Sequence, residues 1–310
     1  MNLSLRGIRL LSVLALVTTQ ITLDRAMAAQ GDLIAEVITP EGTGITWVSG
    51  ISPSVAFDGR YLYYTDYAGS TLHRIDVPPP GGPSVATGVV NVPIVGAQSG
   101  IMTLSYDRSR DGFWAVGGDG LSVYFLTKAG TATLAYRIDP VADRPGFQTG
   151  PFATETKIAY DGTDDTIWYS PDATSRIYHY QTFADAQGTA VLVAATPYID
   201  VNVVPNDIAA QCGYNQSSGV AVGGAHLFIT VAGCPYYFEY TKTGGKFASY
   251  AYTFSGQQST QDAECDNVSY PVSVLWIKEG YQGRIRAVEQ PAAGACVYGG
   301  GIPPAGWRVN

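Results

Sequence analysis

Hydrophobic and polar positions alternate in short runs along most of the chain, and the runs recur in sets of three. Each set reads as a small apolar strand, an aromatic strand and a strand rich in Tyr and Ile. Aligned on an aromatic of the second run, the sets fall on Tyr63, Trp114, Trp168, Phe228 and Trp276, at intervals of 51, 54, 60 and 48 residues. Ten residues after each anchor stand His73, Tyr124, Tyr178, Phe238 and Arg286. Leu72, Val123, Ile177, Tyr237 and Ile285 precede them, and Ile75, Leu126, Tyr180, Tyr240 and Val288 lie two residues beyond. Alternation of period two over such lengths predicts strands, and a set recurring in one frame marks a repeat architecture.

The first run of each set aligns on Phe57, Tyr106, Tyr160, Val222 and Tyr270. Two residues earlier come Val55, Leu104, Ile158, Val220 and Val268; one residue earlier come the small Ala56, Ser105, Ala159, Ala221 and Ser269. Period two puts these groups on opposite faces of the strand. Small side chains suit an innermost strand where sheets crowd about an axis, with aromatics filling the widening space outside. That pattern predicts an all-β single β-propeller of five four-stranded blades, with repeats near 50–92, 99–138, 153–194, 215–254 and 264–290. Fourth strands are expected at 84–92, 132–138, 190–194 and 247–254, with none in the last repeat. The run 32–38 is expected to complete that blade and close the ring. The alternative is six blades, with one hidden in 38–50 or 185–215.

Two stretches carry a family resemblance. Tyr61-Leu62-Tyr63-Tyr64-Thr65-Asp66 followed by Ser70-Thr71-Leu72-His73-Arg74-Ile75-Asp76 resembles a repeat of the YWTD, NHL and SMP-30/gluconolactonase propellers. So does Ile158-Ala159-Tyr160-Asp161-Gly162 leading to Thr166-Ile167-Trp168-Tyr169-Ser170. The lactonase branch of this resemblance implies a divalent metal held by Glu, Asn and Asp at the channel mouth, where it activates water for ring opening.

Composition adds compartment and excludes some partners. Arg6 and Arg9, an apolar stretch over 10–23 and Ala26-Met27-Ala28 have the order of a secretory signal peptide, so residues 1–28 are expected to be cleaved near Ala28. A secreted or periplasmic domain over 29–310 follows. The apolar stretch is too short to span a bilayer, and no later segment is expected to do so. A net charge of -8 without a Lys/Arg cluster disfavours nucleic acid. Only 14% of residues are charged, against 36 Gly, 21 Tyr and 18 Pro, which favours strands and tight turns. The four cysteines are expected as disulfides Cys212–Cys234 and Cys265–Cys296. A monomer is expected.

Candidate chemistry is sparse. Ligands of propellers collect at the mouth of the central channel, and the segments entering it carry Glu155 and the alternating Asp262, Glu264 and Asp266, followed by Asn267. If 262–267 is extended, the three carboxylates share one side, and such oxygens suit Ca²⁺ or Mg²⁺. The same acids also serve as caps of loops and turns around Cys265. His73, His179 and His226 fall on second and third strands, away from the axis, so an axial histidine base is not expected. The function expected is a binding or scaffold propeller that takes a small molecule, sugar or protein at the channel mouth. The alternative is a metal-dependent hydrolase of the SMP-30/gluconolactonase type.

Overall fold

The structure, a computed structural model, describes residues 29–40, 53–139, 155–171, 174–214, 216–254, 260–290 and 296–301. The expected signal peptide lies outside the described residues. Five separate sheets follow one another along the chain. Their first strands are Ala56–Phe57, Ile101–Asp107, Thr156–Asp161, Gly219–Val222 and Thr260–Asp266. These five pack against one another in cyclic order, the last against the first, and so surround a common axis. The chain is a five-bladed β-propeller.

One register repeats in every blade. Each anchor faces the residue eleven positions later: Tyr63↔Arg74, Trp114↔Phe125, Trp168↔His179, Phe228↔Glu239 and Trp276↔Ala287. Turns of constant length between second and third strands produce this frame. The apolar faces then meet between blades, and each of five buried clusters joins two successive sheets. Ala159, Trp168 and Ile177 of the third blade, for example, pack on Val220, Leu227 and Phe238 of the fourth. Burying an aromatic side chain of this kind stabilises by roughly 2–3 kcal/mol, so the wedges between blades hold the ring.

The structure corrects the expected fold class in two respects. Two of the sheets have five strands. In the third blade both Ala190–Leu192 and Tyr198–Asp200 pair with Arg176–Ala184. In the fifth, the order runs Thr260–Asp266, Val274–Glu279, Arg284–Glu289, Leu33–Ile38, Gly81–Val85. The N-terminal strand is therefore an interior strand, antiparallel to Arg284–Glu289 on one side and parallel to Gly81–Val85 on the other. Every sheet is open, and no sheet is closed by that strand. The physical reason is its second edge: after pairing once it still offers free backbone groups, and the segment after Pro78-Pro79-Pro80 lies along them. Ser84 adds a hydrogen bond from its hydroxyl to the Glu36 carbonyl (3.0 Å).

The expected fourth strand at 84–92 is consequently divided. Gly81–Val85 serves the fifth blade, and Val90–Pro93 completes the first. The alignment of the fifth repeat on Tyr270 also shifts. Its innermost strand is Thr260–Asp266, while Val268 lies exposed in the turn that follows. Residues 262–266, read as a loop entering the blade, are the blade's inner strand.

Candidate functional site in the central channel

Aspartates fix the axial level of the inner strands. Asp107, Asp161 and Asp266 end those of the second, third and fifth blades. Each accepts a hydrogen bond from the anchor indole on the next strand, from Trp114 (3.1 Å), Trp168 (3.3 Å) and Trp276 (2.9 Å). In the first blade Asp58 accepts from the Tyr63 hydroxyl (3.1 Å). Two residues before these turns stand Ala56, Ser105, Ala159 and Glu264; two further back stand Ser54, Thr103, Lys157 and Asp262. Gly223 takes the turn position in the fourth blade, which adds Ala221 and Gly219 to the two levels.

At the deeper level four residues are small and the fifth is Glu264. Its carboxylate accepts hydrogen bonds from the Ser105 hydroxyl (3.1 Å) and the Tyr106 N–H (3.3 Å) of the second blade, which is not a sequential neighbour of the fifth. The Ser105 hydroxyl oxygen in turn accepts from the Tyr160 N–H of the third blade (3.0 Å). One carboxyl group thus spans the axis, in the space the small residues leave. Burial pushes its pKa up to about 8, against the opposing pull of those hydrogen bonds.

At the outer level Asp262 faces Lys157. Asp262 Oδ2 accepts from the Val55 N–H of the first blade (3.2 Å). Its Oδ1, the Lys157 ammonium and the Thr103 hydroxyl are all buried without a hydrogen-bond partner. Burial holds the Asp262 carboxyl well above the usual carboxylate range, and the Lys157 charge offsets part of that rise. The two act on each other through space, without an ion-pair contact. On the fourth blade, a Cβ at Gly219 would overlap Thr230 Oγ1 and come within 2.8 Å of Asp262 Cα. The missing side chain therefore admits the Thr230 hydroxyl, itself unpartnered, beside this level.

The opposite end of the axis is covered by residues 296–301. Cys296 is bonded to Cys265 of the fifth blade. Tyr298 packs edge-on against Phe57 of the first, at 5.8 Å between ring centres, and beneath the Arg108 guanidinium of the second. The Gly162 N–H of the third blade donates to the Gly300 carbonyl (2.8 Å), and Gly301 runs against Gly224 of the fourth. Gly299, Gly300 and Gly301 all have positive φ, at 67°, 75° and 100°, which other residues rarely adopt. The tail touches all five blades and leaves the level of Asp262 and Lys157 facing the other end.

The residues singled out from sequence are thereby placed. Asp262 and Glu264 project to the axis at successive levels. Asp266 instead holds its turn, accepting from Val268 N–H (2.7 Å), Ser269 N–H (3.0 Å) and Trp276. Asn267 lies beside the tail, its side-chain oxygen accepting from the Tyr298 N–H (3.4 Å). Glu155 is buried just before the inner strand of the third blade. Each acid has a different set of partners. A divalent metal at the axis, as the family resemblance implies, does not fit this donor set, because an ammonium already faces Asp262 and the oxygens of Glu264 and Asp266 are engaged. Lys157 was not anticipated; a lone Lys within an inner-strand run is the signal for it.

A separate trio could coordinate a metal ion. Ligand atoms of Asp161, Asp164 and His179 lie within 4.8 Å of one another. His179 is stacked on Trp168 at 3.9 Å, and burial lowers its pKa to about 4, so its ring is neutral at pH 7. Asp161, however, is ion-paired with Lys242 and accepts from the Thr163 N–H at 3.1 Å. No helix among the described residues is long and apolar enough to cross a membrane.

No family model and no curated protein matches the chain. Solved structures of similar fold include the calcium-binding regucalcin from Agrobacterium tumefaciens, at 12% identity over 84% of this chain and 98% of that one, with a TM-score of 0.46. A gluconolactonase from Xanthomonas campestris is 12% identical over 80% of this chain and 88% of that one, TM-score 0.46. An inactive variant of virginiamycin B lyase from Staphylococcus aureus, crystallised with quinupristin, is 13% identical over 80% of this chain, TM-score 0.37. The chain spans 65% of the lyase, less than two thirds. At these identities the likeness is one of propeller fold alone. Identities this low carry no activity across.

Proposed function

We propose that the protein is a hydrolase that takes a small polar molecule, of lactone or ester type, into its central channel. The observation that carries this reading is the unpartnered Asp262 Oδ1 opposite the unpartnered Lys157 ammonium, both buried on the axis. A buried polar atom without a partner costs roughly 1–3 kcal/mol and calls for a ligand or water there. A carboxyl group tuned upward by burial is the type of group that exchanges protons with a reacting oxygen near neutral pH. In this reading Asp262 handles the proton of an attacking water, and the hydroxyls of Thr103 and Thr230 orient the substrate. No step is assigned to a metal. If the protein uses a metal ion, the Asp161–Asp164–His179 trio would hold it, and titration with Ca²⁺ or Mg²⁺ reads whether it does.

The reading is tested by hydrolysis of γ-butyrolactone, δ-valerolactone and p-nitrophenyl acetate by the wild type and Asp262→Asn. Turnover that falls at least a hundredfold in Asp262→Asn, with the fold intact by circular dichroism, supports it. No turnover by the wild type, with or without added Ca²⁺ or Mg²⁺, overturns it and leaves a binding propeller. Export after cleavage near Ala28 belongs to the same proposal. It is supported by the pattern of the first 28 residues and by two disulfides, which require an oxidising compartment. Mass spectrometry of the mature N-terminus checks it.

A further inference from the structure

Among the described residues, the channel holds one cation, Lys157, that none of them meets in an ion-pair contact. Lys157 comes from the inner strand of the third blade, is buried, and has no hydrogen-bond partner for its ammonium. The titratable groups around it are Asp262 from the fifth blade at the same level, Glu264 one level deeper, and Glu155 two residues earlier, just before its own strand. Glu264 is committed to Ser105 and Tyr106, and Asp262 uses one oxygen on the Val55 N–H. Neither makes an ion pair with Lys157. Taking an ammonium out of water costs several kcal/mol, a cost ordinarily offset by a carboxylate in contact. The unpartnered hydroxyls beside it, on Thr103 and Thr230, can donate to an oxygen as readily as accept.

We propose that the molecule taken into the channel carries a carboxylate, which docks on the Lys157 ammonium. This rests on the proposed hydrolase reading and narrows its substrates to small lactones or esters with a free acid group. Two features favour a carboxylate over a neutral sugar or a cation. The unpaired charge is positive, and burial raises the pKa of the facing Asp262 carboxyl well above the usual carboxylate range, which weakens its repulsion of an anionic oxygen.

Binding is measured apart from turnover, so that this inference and the hydrolase reading fail separately. The probes are matched pairs that differ in charge: L-lactate against propane-1,2-diol, and succinate against butane-1,4-diol. Calorimetric titration of the wild type is expected to detect the acids and not the diols. Lys157→Met, close in volume and without the charge, is expected to weaken the acids at least tenfold. The same variant without ligand should melt at or above the wild-type temperature, since it removes an uncompensated buried charge. Lys157→Arg, which keeps the charge, should retain part of the binding, which also guards against a Met variant that fails to fold. Diols binding as well as acids, acids unaffected by Lys157→Met, or inorganic phosphate binding in place of the carboxylates would each overturn the assignment. Acids that bind in this manner while no ester is hydrolysed would overturn only the hydrolase reading.

Discussion

Glu264 makes the stability of this propeller depend on pH in an unusual direction. A carboxyl group that keeps its proton up to about pH 8 when folded, but loses it near 4.5 when unfolded, makes the folded state the better proton binder between those values. Stability contributed by this group is therefore lost as pH rises through that window. His179 opposes it from about pH 4 to 6.5, because its neutral form is the buried one. Above pH 6.5 that contribution is complete and the carboxyls act alone. Urea unfolding between pH 6.5 and 8 is expected to show falling stability, with Glu264 contributing at most about 1.4 kcal/mol per pH unit. Glu264→Gln should flatten part of the slope while keeping an acceptor for Ser105. At the neighbouring level, Gly219→Ala is expected to cost about 1–3 kcal/mol through overpacking against Thr230 and the Asp262 backbone. Chemical denaturation measures it.

The strand that ends in an aspartate and hands it to a tryptophan is the unit from which three of the blades are built. It explains why some of the architecture was readable from sequence and some was not. The second and third strands were legible because the turn between them keeps one length in all five repeats. The inner strands of the second and third blades were legible for the same reason: Asp107 to Trp114 and Asp161 to Trp168 are separated by the same number of residues. In the fifth blade the corresponding turn is longer, from Asp266 to Trp276, and Tyr270 stands where an inner-strand aromatic would be counted. Counting back from Trp276 therefore missed the strand. Its alternation of Asp, Ala, Glu, Cys and Asp was also inverted, with polar groups facing a buried channel. Asp266 consequently reads as a turn anchor in the structure. Asp266→Ala leaves Trp276, Val268 and Ser269 donors without their acceptor and should lower stability by about 2–3 kcal/mol. Asp266→Asn, which keeps an oxygen, should cost less. Thermal melts of the two variants separate this role from a metal-binding one, in which both would lose bound ion.

At the scale of the whole molecule, stacked repeats ordinarily lose stability one unit at a time, since each touches only its neighbours. The six residues 296–301 break that rule, because they reach the turns of all five blades from a covalent tie at Cys265. A blade cannot loosen without disturbing a segment that the other four also hold. Melting should therefore be a single all-or-none event, with calorimetric and van 't Hoff enthalpies equal. Replacing Cys265 and Cys296 together by Ala releases a closure worth about 3–4 kcal/mol in chain entropy. It should also split the transition, the calorimetric enthalpy then exceeding the van 't Hoff value. The consequence concerns cooperativity: in this ring, the shortest described segment couples the blades into one thermodynamic unit.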